Sequence, residues 1–300
     1  VSARLLILCP GQGGQHAAMY DLARGDPAGA ALLDACAPAL DPDTLFDNRI
    51  AQPAIVAATL ATWEALRPRL PAPALVAGYS IGELAAHGVA GALPAQDAIA
   101  LASRRAALMD AAAAAGVRGA LAAVSALPLE RVRAIARACD WQLAIVNGED
   151  ACVAGGPAST YETFAGACEA AGARMQRLPV AVASHTPLIA AAVQPFAGAL
   201  AGAPFHGWQC PVLSGISGVR IASKDAAVEH LSRQLAETIE WRACMDAAVE
   251  SGISVALELG PGAALARMFA ARHPQVACRS VAEFRSLDGV AAWVERQFER

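Results

Sequence analysis

The sequence has no surplus of positive charge: its 300 residues carry 23 Lys and Arg against 27 Asp and Glu, a formal net charge of -4. Without a basic field, no nucleic-acid partner is expected. It also has no C-x-x-C pair; the eight cysteines are scattered from Cys9 to Cys278, with no histidine-rich spacing beside them. That pattern argues against a zinc site or a disulfide frame and fits buried thiols in a reducing, cytoplasmic compartment. No apolar run reaches the ~18 residues of a membrane span without a charge or proline, and Leu5–Cys9 is too short for a signal core, so no membrane association is expected. The start at Val1 reads as a trimmed or engineered start. No internal repeat or low-complexity linker breaks the chain.

What is present is apolar mass. With 56% hydrophobic and 17% charged residues, the chain can bury one large core or two lobes, and disorder is excluded. Leu5 to Cys9 reads as a buried strand leading into Pro10-Gly11-Gln12-Gly13-Gly14-Gln15. This turn lacks the lysine of G-x-x-x-x-G-K-[ST] and the third glycine of G-x-G-x-x-G, so a nucleotide site is disfavoured. It is better suited to lending a backbone N–H to a nearby oxyanion.

The centre of the sequence is Gly78-Tyr79-Ser80-Ile81-Gly82-Glu83. An apolar run, Ala74 to Ala77, precedes it and a small-residue helical stretch, Ile81 to Leu93, follows. G-x-S-x-G between strand and helix is a nucleophile elbow: the flanking glycines permit strained backbone and close strand-to-helix approach, and the serine hydroxyl is lifted clear of the sheet. Helices are expected at Ala28 to Leu40, Gln52 to Leu66 and Pro94 to Gly116. The last carries Arg104 and Arg105, about 100° apart, so only one of them can face a given pocket.

From Gly119 to Ser184 the pattern shortens to strand (120–125), helix (129–139), strand (143–147), strand (151–154), helix (160–172) and strand (174–182). That βαββαβ order is the ferredoxin-like split unit. The expected fold is α/β: an α/β-hydrolase-like large lobe, residues 1–118 and 186–300, with an inserted ferredoxin-like small subdomain, 119–185. Beyond it, Val212-Leu213 reads as a strand, 226–237 and 240–250 as helices, and 254–259 as a strand ending at Gly260-Pro261-Gly262, which opens a further helix. A cleft between the two lobes is the expected ligand site. Among the histidines, His185 returns the chain to the large lobe and has the best position. His87 lies about 10 Å along the elbow helix from Ser80, out of reach, and His16, His206, His230 and His273 sit in polar, surface-like contexts.

Taken together, the glycine loop at 10–15, the elbow at 78–83, Arg105, Ser184-His185 and Glu258-Leu259-Gly260-Pro261-Gly262 resemble the malonyl-CoA:acyl-carrier-protein transacylases over nearly the whole chain. The resemblance implies that Ser80 is the acyl-accepting nucleophile and His185 its general base. It further implies that Arg105 grips the malonyl carboxylate, that the Gln12 and Ile81 amides form the oxyanion hole, and that the Gln234 main-chain carbonyl orients the histidine. Malonyl-CoA is then the substrate and an acyl carrier protein the partner, with no bound cofactor and no metal. Within the family, 46–53, 147–150 and 182–187 look most like the epsilon subunit of malonate decarboxylase, whose carrier subunit bears a phosphoribosyl-dephospho-CoA arm. Tyr79 and Ala18-Met19 depart from the pattern of the fatty-acid branch. Malonyl-selective modular relatives place phenylalanine where Ser184 stands, so Ser184 does not assure exclusion of a methylmalonyl group. The competing readings are a fatty-acid or polyketide transacylase, a serine thioesterase, and a non-catalytic assembly subunit, which would not need Ser80, Arg105 and His185 together.

Overall fold

Leu5–Cys9 forms strand β1, and every residue in it is buried. Leu5, Ile7 and Cys9 enter one apolar core, Leu6 and Leu8 another, because successive side chains leave opposite faces of a sheet. A strand buried on both faces needs helices on both sides. The computed structural model describes residues 3–180 and 182–299; Val1, Ser2, Ala181 and Arg300 lie outside the described residues.

After β1 come helices α1 (Asp21–Arg24), α2 (Pro27–Cys36) and α3 (Asn48–Leu66), then β2 (Leu75–Gly78), α4 (Ile81–Val89) and α5 (Ala95–Ala115). Three expected helices run four residues too far, the one expected to end at 237 stopping at Arg233. The one expected to reach Leu40 ends at Cys36, and Ala37 is extended, as a residue preceding Pro38 prefers. The elbow helix stops at Val89 rather than Leu93, with Gly91 at φ 76°, a left-handed conformation that ends helices. Conversely, α3 begins at Asn48, ahead of the expected Gln52, and carries Pro53 inside it.

The insert follows as β3 (Gly119–Ser125), α6 (Leu129–Ala138), β4 (Gln142–Val146), β5 (Ala151–Pro157), α7 (Tyr161–Ala170) and β6 (Arg174–Arg177). Its antiparallel sheet has the order β4-β5-β3-β6, which is the ferredoxin-like arrangement. β6 ends at Arg177, short of the expected Val182, whose predecessor Ala181 is outside the described residues. Pro179 has no N–H to continue the ladder. One face of this sheet, with Leu121, Ile145 and Val153, packs into the core of the large lobe; the other, with Ala122, Val124 and Ala154, closes on α6 and α7.

The chain then returns through α8 (Val193–Ala201), β7 (Val212–Leu213), β8 (Arg220–Ile221), α9 (Lys224–Arg233), α10 (Trp241–Glu250), β9 (Val255–Glu258), α11 (Ala264–Arg272), β10 (Ala277–Ser280) and α12 (Leu287–Phe298). The large sheet has the order β10-β9-β1-β2-β7-β8 and is parallel except at β8. Helices α8 and α12 and the short strands β8 and β10 had no sequence expectation. Cys36 and Cys278 are half-buried, whereas the other six thiols are buried as expected. Among the described residues no helix is long and apolar enough to cross a membrane.

The two lobes are joined by backbone. The Val146 N–H donates to the Ile239 carbonyl at 2.8 Å, the Ile239 N–H to the Ala144 carbonyl at 2.9 Å, and the Thr238 hydroxyl to the Leu143 carbonyl at 2.7 Å. Thus the edge of β4 is occupied by the segment that follows α9, and Gln234 is carried to the junction of the lobes.

Candidate active site

β2 ends at Gly78 and α4 begins at Ile81, so Tyr79 and Ser80 make the whole turn. A Cβ on Gly78 would overlap the Glu83 nitrogen and the Gly82 carbonyl, and one on Gly82 would overlap the Cys9 carbonyl oxygen. Only glycine at both places lets α4 dock on the ends of β1 and β2. Ser80 itself has φ 55° and ψ -117°, a conformation that costs a non-glycine residue about 1–3 kcal/mol and persists only where packing enforces it. It occupies the N-cap position of α4, where a serine hydroxyl usually caps the first turn. Here the hydroxyl caps nothing; Oγ lies 2.8 Å from His185 Nε2.

His185 is held from one direction. Its backbone N–H donates to the Leu235 carbonyl at 2.7 Å, and its ring Nδ1 lies 2.6 Å from the Gln234 carbonyl oxygen. A carbonyl can only accept, so Nδ1 carries the proton and Nε2 keeps its lone pair toward Ser80. Burial, and next the Arg105 charge, push the imidazole down to about 3, against the opposing pull of the Gln234 carbonyl. The ring is a neutral base at physiological pH.

On α5, Arg105 is 2% exposed while Arg104 faces solvent, which settles the choice that a 100° separation had left open. Its Nη1 donates to Gln52 Oε1 at 2.8 Å, and its Nη2 to Gln234 Oε1 at 3.3 Å and to Ser80 Oγ at 3.4 Å. All three acceptors are neutral. Burial lowers Arg105 to about 10, with Glu83 acting in the opposite sense, so the guanidinium stays charged at neutral pH.

Each glutamine passes the contact on. Gln52 Nε2 donates to Asn48 Oδ1 at 2.5 Å, and Asn48 Nδ2 to Asp110 at 2.9 Å. Gln234 Nε2 donates to Glu83 Oε2, which also accepts the Gly215 N–H at 2.9 Å. Glu83 is 0% exposed and its Oε1 has no partner among the described residues. Burial raises its carboxyl to about 7, opposed by those two donors and by Arg105.

Two further amides near the elbow lack an acceptor among the described residues. The Ile81 N–H opens α4 and has no helical acceptor, and the Gln12 N–H has none among the described residues. The glycine loop is drawn to the elbow because Gly11 lies against Tyr79; a Cβ there would come 2.6 Å from the Tyr79 carbonyl oxygen. Gln12, Asn48, Arg49, Asp110, Val180 and Val182 line a cavity of about 620 Å³ at the junction of the lobes. A separate cavity of about 560 Å³, behind the 259–261 turn, contains none of the six expected site residues.

The remaining histidines take no part. His87 is fully buried and accepts a bond from Trp208 Nε1. His230 and His273 are half-buried rather than surface-like, bonded to Ser214 at 2.7 Å and Asp246 at 3.0 Å. Sequence reasoning gave no role to Glu83, Gln52, Asn48 or Asp110. Two of these did leave a signal: Glu83 is the one acid in α4, and Gln52 stands in the apolar run 51–58. A polar group on a helix face that is otherwise apolar has a buried partner.

Residues 7–284 match the acyl transferase domain family. The chain is 31% identical to the malonyl CoA-acyl carrier protein transacylase of Mycobacterium bovis, over 96% of this chain and 99% of that one. It is 34% identical to part of the polyketide synthase GfsB of Streptomyces halstedii, where the match takes in 89% of this chain but 5% of that protein's length. Among solved structures, the malonyl-transacylase PlMCAT in complex with the type II polyketide acyl-carrier protein AntF matches with a TM-score of 0.90 at 28% identity, over 97% of this chain and 99% of that chain.

Proposed function

This chain belongs to the acyl transferase family, with malonyl CoA-acyl carrier protein transacylases among its full-length relatives, and on that footing we propose that it transfers a malonyl group from malonyl-CoA, through an ester on Ser80, to the thiol of a carrier protein. The observation that carries this reading is a buried arginine, bonded only to neutral groups, within 3.4 Å of a serine oxygen that is itself paired with a neutral histidine. In malonyl thioesters the carboxylate lies one methylene from the reacting carbonyl, so a cation beside the nucleophile is where it is needed. A guanidinium fork matches a carboxylate in plane and charge. An acetyl group would leave that cation unpaired, which is the basis for rejecting it.

In the proposed cycle, Ser80 Oγ attacks the thioester carbonyl while His185 Nε2 takes its proton. The oxyanion is met by the Gln12 and Ile81 N–H groups, and the Gln234 carbonyl stabilises the imidazolium through Nδ1–H. Collapse breaks the carbon–sulfur bond, and CoA leaves with the proton from Nε2. The carrier thiol then attacks the Ser80 ester, gives its proton to His185, and Ser80 recovers it as the ester bond breaks. Every proton and electron pair is accounted for between thioester, ester and thiol, so no cofactor is required.

The division into a lobe of residues 1–118 and 186–300 and a subdomain of 119–185 is part of this proposal, supported by the two separate sheets. The solved PlMCAT–AntF complex supports an acyl carrier protein as partner. The finer assignment, to the carrier subunit of malonate decarboxylase, rests on the sequence segments 46–53, 147–150 and 182–187. A cytoplasmic setting is supported by the eight free cysteines. Intact-protein mass spectrometry after separate incubation with malonyl-CoA and acetyl-CoA tests the reading: a malonyl adduct mapped to Ser80 is expected, stable until a carrier thiol is added. Rapid loss of the adduct to water would make the protein a thioesterase.

A further inference from the structure

Arg105 is buried, charged and surrounded by neutral acceptors, and the two acids its hydrogen-bond network reaches stand one amide and two amides away. On α4, Glu83 is reached through Gln234; further along α5 itself, Asp110 is reached through Gln52 and Asn48. Side-chain amides offer an oxygen and a nitrogen at nearly equivalent places, and which one faces Arg105 depends on what holds the other end. Glu83 Oε2 also accepts the Gly215 N–H, and an accepting carboxyl oxygen turns the Gln234 nitrogen toward it whether or not Oε1 carries a proton.

We propose that Glu83 is a positioning residue for recognition of the acyl carboxylate: by accepting from Gln234 Nε2 it turns Gln234 Oε1 toward Arg105 and so fixes the guanidinium without pairing with it. A carboxylate placed directly on Arg105 would fill the fork that the acyl group must use. Held one amide away, Glu83 aims the cation and leaves it available. Gln234 has two separate duties in this arrangement: its main-chain carbonyl holds His185, and its side chain holds Arg105. The inference rests on the transacylase reading, because it explains how that site tells a charged acyl group from a neutral one.

The test compares Glu83→Ala, Glu83→Gln and Gln234→Met by single-turnover acyl-ester formation from malonyl-CoA and from acetyl-CoA, with apparent Kd and maximal rate resolved for each. Glu83→Ala should lower the malonyl-to-acetyl ratio by about 10- to 100-fold, the worth of a hydrogen bond to a charged group, mostly through weaker malonyl-CoA binding. Glu83→Gln should restore the ratio to within about threefold of wild type, because one amide oxygen can accept both bonds now made by Oε2 and its NH₂ falls where Oε1 has no partner. Gln234→Met keeps the main-chain carbonyl on His185, deletes only the amide, and should lose the ratio as Glu83→Ala does; the double variant should lose no more. If Glu83→Ala is too unstable to assay, the Gln234→Met ratio and the Glu83→Gln rescue decide. Equal losses for malonyl and acetyl, or Glu83→Gln behaving like Glu83→Ala, would overturn the inference while leaving the transacylase reading in place. A wild-type protein that forms no malonyl ester would overturn both.

Discussion

The His185 imidazole donates through Nδ1 to the main-chain oxygen of Gln234 at 2.6 Å, so a peptide carbonyl stands where a Ser-His-Asp triad has its carboxylate. Carbonyl groups fix the tautomer as firmly as an acid but supply less negative charge to a developing imidazolium. The pull of the Gln234 carbonyl is too weak to offset burial and the Arg105 charge, which keep the imidazole neutral at rest.

Removing the Ser80 hydroxyl should separate chemistry from folding. Ser80→Ala is expected to abolish covalent loading by malonyl-CoA while leaving the thermal melting temperature near that of the parent, since one hydroxyl at a partly exposed position is lost. Labelled adduct on the variant, by mass spectrometry, would reassign the nucleophile.

His185→Ala should slow ester formation by about 10²–10⁴, the usual contribution of a positioned general base. In the parent enzyme the pH profile carries the same information. With the folded imidazole of the free protein at about 3, the loading rate at low malonyl-CoA, which reports the free protein, should stay within about threefold between pH 7 and pH 5. An imidazole at its ordinary value would be mostly protonated at pH 5 and slow the rate about 30-fold.

Arg105→Ala and Arg104→Ala should differ in kind. The first is expected to lose malonyl loading and retain or gain acetyl loading, a shift in relative kcat/KM of about 30- to several-thousand-fold from a lost charge pair. The second removes a solvent-facing charge and should leave the ratio unchanged. Equal losses of both acyl groups in Arg105→Ala would make the arginine structural.

Stability should depend on pH in two regimes. His87 and His185 are held neutral, each down to about 3, so below their ordinary 6.5 only the unfolded chain takes up their protons and stability falls with pH. Glu83 and Glu258 are raised to about 7, so between their ordinary 4.5 and 7 the folded state holds the extra protons and stability falls as pH rises. From pH 6.5 to 4.5 the pairs oppose each other and the unfolding free energy should be nearly flat. Below 4.5 the carboxyls no longer oppose the two histidines, which alone give a fall of about 2.7 kcal/mol per pH unit, and Asp246, held below its ordinary value by its bond to Arg272, adds to the loss. Urea unfolding at pH 6, 5, 4 and 3.5 would reveal the break; a steady decline from pH 6.5 would contradict it.

Sequence by itself determined the features with local causes. A run of apolar residues gave β1, the order of short elements gave the ferredoxin-like insert, and Gly78 and Gly82 gave the elbow, because periodicity and Cβ sterics act between near neighbours. Helix ends were missed where one residue changed the outcome, as at Ala37 before Pro38. Short edge strands such as Arg220–Ile221 carried too few residues to show a period.

The meeting of Ser80 with His185, which are 105 positions apart, was decided by tertiary structure. So was the inward choice of Arg105 over Arg104, since helical periodicity separates the two without saying which side is the core. The network of Gln52, Gln234 and Glu83 was least legible of all. Its polar groups sit in apolar stretches that betray a buried partner but not its identity, and that identity depends on which helices the sheet brings within hydrogen-bond distance.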